Sequence, residues 1–427
     1  MELIIGTKYE IETKNKEKRT GVLVTKNKDT IFIKLKSGYN EGIKIKNIEN
    51  TKKIKEPPIK PKKTQIIENN PEILILHTGG TIASKIDYAT GAVTSLTTPE
   101  EILKLYPELK EEARIGSELI SNMPSDDLNF SHYNQITKKI DEAIKKYPGL
   151  KGIILTHGTD TMHYTSNALS FTIQNPPIPI IIVGSQRSSD RPSSDAALNL
   201  LSATRFITKK PEYKEIMICM HETTNDANCT IFKGLNVRKT HTTRRDTFKQ
   251  INTEPIARIN YEKNEINTIQ KPTKKEEKLK ITHFNEELKI GWIKTRPGIP
   301  IDEFDKYTGF DAIILEGTGL GHFPITEFDE KTKINTKIYK KLKELSKKTI
   351  LAMTTQTTQG RVNLNVYSPA RKLKELGVLG HNIAMMQETA YIKLAWLLSN
   401  YKKEDIPQKY EEDITGEQVN RIKGELK

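Results

Sequence analysis

Only two cysteines, Cys219 and Cys229, occur in the 427 residues, too few for a disulfide framework. There is no CxxC pair and no HExxH run, so neither a structural nor a hydrolytic zinc site is expected. Long apolar runs are also missing. The longest, such as Ile178 to Gly184, fall far short of the roughly 20 residues that a membrane-spanning helix requires. Met1-Glu2-Leu3 leads into alternating sequence rather than a basic segment followed by an apolar one. No secretory signal is read there, and a cytoplasmic location without membrane contact is expected. What the chain has is charge: 29% of residues are charged against 35% hydrophobic. That balance suits a globular protein with a polar surface, and the length allows two or three separate cores.

The net charge of +14 is uneven, with +9 of it carried by residues 1–63. A basic terminal segment is the footprint of a nucleic-acid contact. The competing reading is a solvated surface, because lysine is abundant along the whole chain and charge alone is a weak signal.

Residues 1–56 read as a small all-β unit. Thr30-Ile31-Phe32-Ile33-Lys34-Leu35-Lys36 alternates apolar and polar, and Gly42-Ile43-Lys44-Ile45 resumes the alternation after Ser37-Gly38-Tyr39-Asn40. With Gly21-Val22-Leu23-Val24 this gives four or five short strands, as in an SH3-like or OB-like barrel. Residues 57–70, with Pro57, Pro58 and Pro61, read as a stiff polar linker. From Ile73 the rhythm changes. Ile73 to Leu76, Gly152 to Leu155 and Ile178 to Val183 are continuous apolar runs, with helical stretches at 131–146 and 193–207 near or between them. Strands apolar on both faces that alternate with helices imply a mostly parallel sheet covered on both sides. Residues 71–262 are therefore expected to form one α/β domain. Residues 263–285, polar and lysine-rich, read as a connection, and 286–427 as a second α/β domain with a helix over Thr389 to Ser399.

Ligands of an open α/β sheet sit beyond the carboxyl ends of its strands, which selects three segments. His77-Thr78-Gly79-Gly80-Thr81 follows the first buried strand, and its glycines permit a tight turn and a close backbone approach. A phosphate loop is the competing reading, but no Gly-Lys-Ser/Thr and no GxGxxG spacing is present. His157-Gly158-Thr159-Asp160-Thr161 follows the second, where Thr and Asp also suit a plain helix N-cap. Lys239 lies among hydroxyl residues in Arg238-Lys239-Thr240-His241-Thr242-Thr243, where an ordinary surface lysine is the alternative.

Those segments resemble the L-asparaginase/glutaminase superfamily. TGGTIA at 78–83 and HGTDTM at 157–162 match its two threonine signatures. Asp87 to Gly91, Ser125-Asp126, Lys239-Thr240 and Thr355-Gln356 through Gly377-Val378 follow in the same order. The resemblance implies an asparaginase-like two-domain α/β fold and roles for individual residues. Thr81 matches the threonine that attacks a side-chain amide, with Tyr88 on the lid beside it. Thr159, Asp160 and Lys239 match a hydrogen-bonded set. Ser125 and Asp126 match the residues that grip the α-carboxylate and α-amino groups of the substrate. A threonine hydroxyl needs a neighbour to take its proton, and a lysine does so only where burial or another cation lowers its pKa. Asp160 would orient that lysine or hold the substrate ammonium. Backbone N–H groups around Gly80-Thr81 and Gly158-Thr159 are candidates for an oxyanion site.

The basic amino-terminal extension and the loop Gly184 to Asp195, rich in Ser, Arg and Asp, are similar to the amidohydrolase subunits of archaeal glutamyl-tRNA(Gln) amidotransferases. That resemblance implies release of ammonia from glutamine or asparagine, with no cofactor in this chain. It also implies a tRNA-binding partner subunit that uses ATP and Mg²⁺, and Glu-tRNA(Gln) held mainly through that partner. A homodimer core within a heterotetramer completes the expected assembly, with 360–367 as a candidate contact between copies. The remaining alternatives are a free cytoplasmic L-asparaginase with an extension, and an RNA-binding module on an inert scaffold. An ammonia source that serves a second active site is further expected to leave Thr81, Thr159, Asp160 and Lys239 poorly aligned in the isolated chain.

Overall fold

A computed structural model describes residues 3–5, 7–35, 40–54, 70–80, 82, 84–86, 93–95, 108–188, 193–273 and 278–422. The expected linker 57–70 falls outside them except for Asn70, as do Thr81 and Tyr88. The amino-terminal unit is a five-stranded antiparallel sheet: β1 (Lys8–Thr13), β2 (Lys18–Lys26), β3 (Thr30–Leu35), β4 (Asn40–Lys44) and β5 (Ile48–Lys53). Its spatial order is β4-β3-β2-β1-β5. Side chains alternate between faces along a strand, so Tyr9, Ile11, Leu23, Ile31, Ile33 and Ile43 collect in one small core. Register shifts after Glu12 and Leu23 bend the strands over that core.

The central sheet has eight strands. They are β6 (Ile73–His77), β9 (Ile115–Leu119), β10 (Gly152–Thr156), β12 (Ile180–Val183), β13 (Ile216–His221), β14 (Cys229–Lys233), β17 (Ala257–Asn260) and β18 (Glu265–Thr268). The order is β18-β17-β14-β13-β12-β10-β6-β9. The five strands from β13 to β9 run parallel, and the last three are antiparallel. Around it lie three two-stranded pieces: β7 (Ser84–Ile86) with β8 (Val93–Ser95), β11 (Ile173–Gln174) with β19 (Lys280–Ile281), and β15 (Val237–Lys239) with β16 (Phe248–Gln250). Ile73 and Ile75 pack toward α4 (Ala196–Lys209), whereas Leu74 and Leu76 pack toward α2 (Phe130–Lys146) and α3 (Met162–Thr172). Helices on both faces explain why these strands are apolar throughout. A short α1 (Leu109–Glu112) buries Leu109 beside α4. Residues 263–285, expected as a connection, supply both β18 and β19.

The second α/β unit holds three parallel strands, β20 (Ile290–Lys294), β21 (Ala312–Gly317) and β22 (Ile350–Thr355). It adds α5 (Ile334–Ser346), α6 (Ser368–Glu375), α7 (Gln387–Asn400) and α8 (Ile406–Glu411). Helix α7 is buried along most of its length, because it packs against β21 and β22 and against α3 of the first unit. Polar ties cross that seam: Trp396 Nε1 donates to Thr282 Oγ1 at 2.8 Å and Thr389 Oγ1 to Asn167 Oδ1 at 2.9 Å. Also on α7, Lys393 forms a fully buried ion pair with Glu417 at 2.6 Å. Burial pushes the Lys393 pKa down, against the opposing pull of Glu417. Burial alone would raise the Glu417 carboxyl, but Lys393 and the amides of Ile414 and Thr415 outweigh it and hold it below the usual range.

A buried pair is most costly to break from one side. Glu417→Ala should therefore destabilise the chain by about 3–5 kcal/mol, read from its urea midpoint; an unchanged midpoint would refute this account of the pair. His77, at the end of β6, gives a pH effect. It is buried between Thr156 Oγ1 (2.9 Å) and Ser117 Oγ (2.7 Å), and burial pushes its pKa down from 6.5 to about 3. The unfolded chain thus binds a proton that the folded chain refuses. This contribution is complete above about pH 6.5 and shrinks as pH falls toward 3. In His77→Asn, the fall in unfolding midpoint from pH 7 to pH 4 should be smaller than in the parent chain.

Candidate active site

The two glycine-bearing turns meet because β6 and β10 are neighbours in register, with His77 opposite Thr156. Thr78 donates both its backbone N–H (3.1 Å) and its hydroxyl (2.8 Å) to the Thr156 carbonyl. The chain then turns through Gly79 and Gly80, with φ of +110° and +86°, a region that favours glycine. A Cβ on Gly80 would lie 2.6 Å from Gly158 Cα, and one on Gly158 would lie 2.8 Å from Ser125 Cβ. Backbone therefore stacks on backbone, with Ser125 as the third layer. Thr161 secures this layer: its hydroxyl donates to the Ser125 carbonyl at 2.7 Å, and Ser125 Oγ accepts from its N–H at 3.4 Å. Ser125 is buried, and Asp126 is exposed on the same short 3-10 turn, Ser125–Asp127.

Lys239 comes from the end of β15, whose Val237 packs into the same core as α2 and α3. Its Nζ donates to Thr159 Oγ1 at 2.9 Å and to Asp160 Oδ1 at 2.7 Å. The lysine side chain is 10% exposed and Asp160 is 64% exposed, so Lys239 Nζ sits under a carboxylate that faces solvent. Because Thr159 Oγ1 accepts from Lys239, its own proton is free to point elsewhere. The hairpin that carries Lys239 is locked at its tip. Thr240 donates twice to the Thr247 carbonyl at 2.8 Å, and Arg245 binds Asp226, the Thr224 carbonyl and the Ser193 carbonyl.

His157 sets the peptide before Thr159. It is fully buried, and burial pushes its pKa down to about 4, so the ring is neutral at pH 7. Nδ1 lies 2.6 Å from the Gly158 carbonyl, which only accepts, so Nδ1 carries the hydrogen and Nε2 accepts from Thr165 Oγ1 at 2.8 Å. With the Gly158 carbonyl turned toward the ring, the trans peptide turns the Thr159 N–H the opposite way.

The Ser/Arg-rich loop starts at this site: a Cβ on Gly184 would lie 2.8 Å from Thr159 Cγ2. Buried Asp195 organises its described part, accepting from the N–H groups of Gln186 and Arg187 at 3.0 Å, from Ser185 Oγ at 2.9 Å and from Asn199 Nδ2 at 3.2 Å. Residues 189–192 lie outside the described residues.

The structure thus brings together Gly80, Ser125, Gly158, Thr159, Asp160 and Lys239, and leaves Asp126 exposed at the rim. Of the four residues expected to be poorly aligned, Lys239, Thr159 and Asp160 are in hydrogen-bonding register within the single chain, and Thr81 lies outside the described residues. Sequence reasoning missed Thr78, Thr161 and Asp195 as organisers of the turns. An Asp immediately before a helix suggests only a cap, and Asp195 binds its own loop instead. Among the described residues, no group of three or more His, Cys, Asp or Glu is disposed to hold a metal ion.

Comparison with known proteins agrees with this geometry. The family model described as Asparaginase, N-terminal matches residues 72–274, and the Glutaminase/Asparaginase C-terminal domain matches residues 289–410. A Methanococcus maripaludis protein, named as the D-type subunit of glutamyl-tRNA(Gln) amidotransferase, is 42% identical over 97% of both chains. A relative of the same name from Pyrococcus abyssi is 41% identical over 87% of this chain and 83% of its own. One from Archaeoglobus fulgidus is 37% identical over 97% and 96%. Among solved structures, the thermostable L-asparaginase of Thermococcus kodakarensis superposes with a TM-score of 0.71 at 30% identity, covering 81% of this chain and 99% of its own. Two matched asparaginase domains and near full-length identity to these relatives place the chain among the D-type subunits of glutamyl-tRNA(Gln) amidotransferases, a branch of the asparaginases with an asparaginase-like α/β fold.

Proposed function

We propose that this chain is the amidohydrolase subunit of a glutamyl-tRNA(Gln) amidotransferase, releasing ammonia from glutamine, or from asparagine, for use elsewhere in the complex. The observation that carries the reading is the Lys239–Thr159–Asp160 set, at 2.9 and 2.7 Å, beside the Gly80–Gly158 contact at the carboxyl ends of β6 and β10. Thr81, one residue past Gly80 in sequence, is the nucleophile on this reading, and Tyr88 acts with it. The Thr81 Oγ attacks the side-chain amide carbon and its proton passes by way of Thr159 to Lys239, which acts here as the neutral amine. The amide nitrogen takes up a proton and leaves as ammonia, and water then hydrolyses the acyl-threonine ester to the free acid. N–H groups around Gly80-Thr81 and Gly158-Thr159 would face the developing oxyanion. Ser125 and Asp126 would hold the α-carboxylate and α-amino groups.

The chemistry needs no cofactor in this chain. The partner subunit would use ATP and Mg²⁺ to activate the glutamyl group of Glu-tRNA(Gln), bound mainly through that partner, and the ammonia would convert it to Gln-tRNA(Gln). The working assembly on this reading is a homodimer within a cytoplasmic heterotetramer. For residues 1–56, the meander order with β5 returning to β1 supports an SH3-like barrel over a Greek-key OB-like one. A free L-asparaginase is the second reading, favoured by the cover of nearly the whole Thermococcus kodakarensis enzyme.

Removing a general acid–base or nucleophilic group costs about 10²–10⁴ in rate. Ammonia release from glutamine by the complex should fall by that factor in Thr81→Val and in Lys239→Met; near-normal turnover in either would remove the assignment. The two readings separate on the chain alone. Slow hydrolysis that rises once partner, ATP and Glu-tRNA(Gln) are added supports the subunit, whereas rapid asparagine turnover without them supports the free enzyme.

A further inference from the structure

We propose that Glu388 is a positioning residue of the reaction centre: through Arg238 and His163 it fixes Lys239 against Thr159, so that the carboxy-terminal unit sets the alignment of the amino-terminal one. This rests on the proposed role of Lys239.

Glu388 lies in the first turn of α7 and its side chain is 6% exposed. Oε1 forms an ion pair with Arg238 Nη2 at 3.2 Å and lies 3.8 Å from His163 Nε2. Both contacts are one or two short steps from the chemistry. Arg238 immediately precedes Lys239 on β15, and side chains alternate along a strand, so anchoring Arg238 on one face fixes how Lys239 leaves the other. His163 stands on the first turn of α3, directly after the segment that carries Thr159 and Asp160. One carboxylate oxygen therefore reaches the two segments whose relative placement sets the Lys239–Thr159 distance.

Gln387 extends the link. Its side-chain oxygen accepts from Arg238 at 3.3 Å, and its nitrogen donates to the Thr355 carbonyl at the end of β22. The path from the second sheet to the catalytic lysine is thus Thr355, Gln387, Arg238, Lys239. A carboxylate at a helix N-terminus has a simpler use, stabilising the helix dipole. That use needs no burial and no charged partner. Glu388 has both, and burial, which alone would raise its carboxyl, is outweighed by His163 and Arg238 so that it stays below its usual range. Among the described residues, His163 Nδ1 and Glu388 Oε2 are buried without hydrogen-bond partners, a cost that helix capping does not account for.

Steady-state glutamine hydrolysis by the intact complex tests this with Glu388→Gln, Arg238→Met, their double variant, Thr389→Val and Lys239→Met. Glu388→Gln and Arg238→Met should each lower kcat by about 10–100-fold, the scale of a misplaced catalytic group, with KM within about twofold. The double variant should lose no more than the worse single, because both break one link, and Arg238→Lys should recover part of the loss. Thr389→Val breaks a different tie between α7 and α3 and should keep kcat within about twofold. Unchanged kcat in Glu388→Gln and Arg238→Met beside an inactive Lys239→Met would overturn the proposal alone. An equal loss in Thr389→Val would also overturn it, because general docking of α7 would then explain the effect. Full activity in Lys239→Met would remove the catalytic reading beneath it. If Arg238→Met fails to fold because it strands the buried Glu388 carboxylate, Glu388→Gln decides, since it leaves no buried anion and Arg238 is 34% exposed.

Discussion

Two peptide backbones, Gly80 and Gly158, lie closer together than any side chain would allow, and the candidate site is arranged around that approach. The approach follows from the pairing of β6 with β10, which brings their carboxyl ends level and sends both chains into turns on the same side of the sheet. Buried His77 and His157 then fasten these ends from beneath, each neutral and each spending its ring nitrogens on neighbouring hydroxyls or a carbonyl. The result is a polar turn region held from beneath by buried, hydrogen-bonded rings. Thr159 and Asp160 need only leave it in the right direction.

Much of this was legible in the residues. Continuous apolar runs such as Ile73 to Leu76 announced a parallel sheet covered on both faces, and the alternation over Thr30 to Leu35 announced an antiparallel unit. The paired glycines of the first turn announced a close approach, although not its partner. What the sequence could not display is distance across the fold. Lys239 meets Thr159 only because β15 turns back over the end of the sheet, and no local pattern encodes that return. Residues 263–285 were misread for a related reason. β18 and β19 are short edge strands, polar because one face meets solvent, so periodicity did not separate them from loop. Asp195 was legible only as the end of a Ser/Arg/Asp-rich loop, not as the residue that organises it. Its burial, which decides the matter, is a property of the packed chain.

The two α/β units share one working surface. Helix α7 belongs to the second by sequence but is buried against α3 of the first, and polar ties at its amino end reach both β22 and β15. Hydrophobic contact alone would tolerate small slips between such layers. Directional bonds between buried groups do not, because a slip leaves them unpaired. The site is therefore rigid where the units meet and open to solvent at Asp160.

Order of synthesis adds a last consequence. Lys393 lies in the middle of α7, yet its counter-charge, Glu417, is made after every strand of both sheets, and the same residue's carbonyl accepts from Asn236, three positions before Lys239. Domains fold largely in the order they emerge from the ribosome. A nascent chain that has completed both sheets still carries an uncompensated charge inside α7 and an untethered approach to β15. The second unit therefore completes its buried charge pair only once Glu417 has been made.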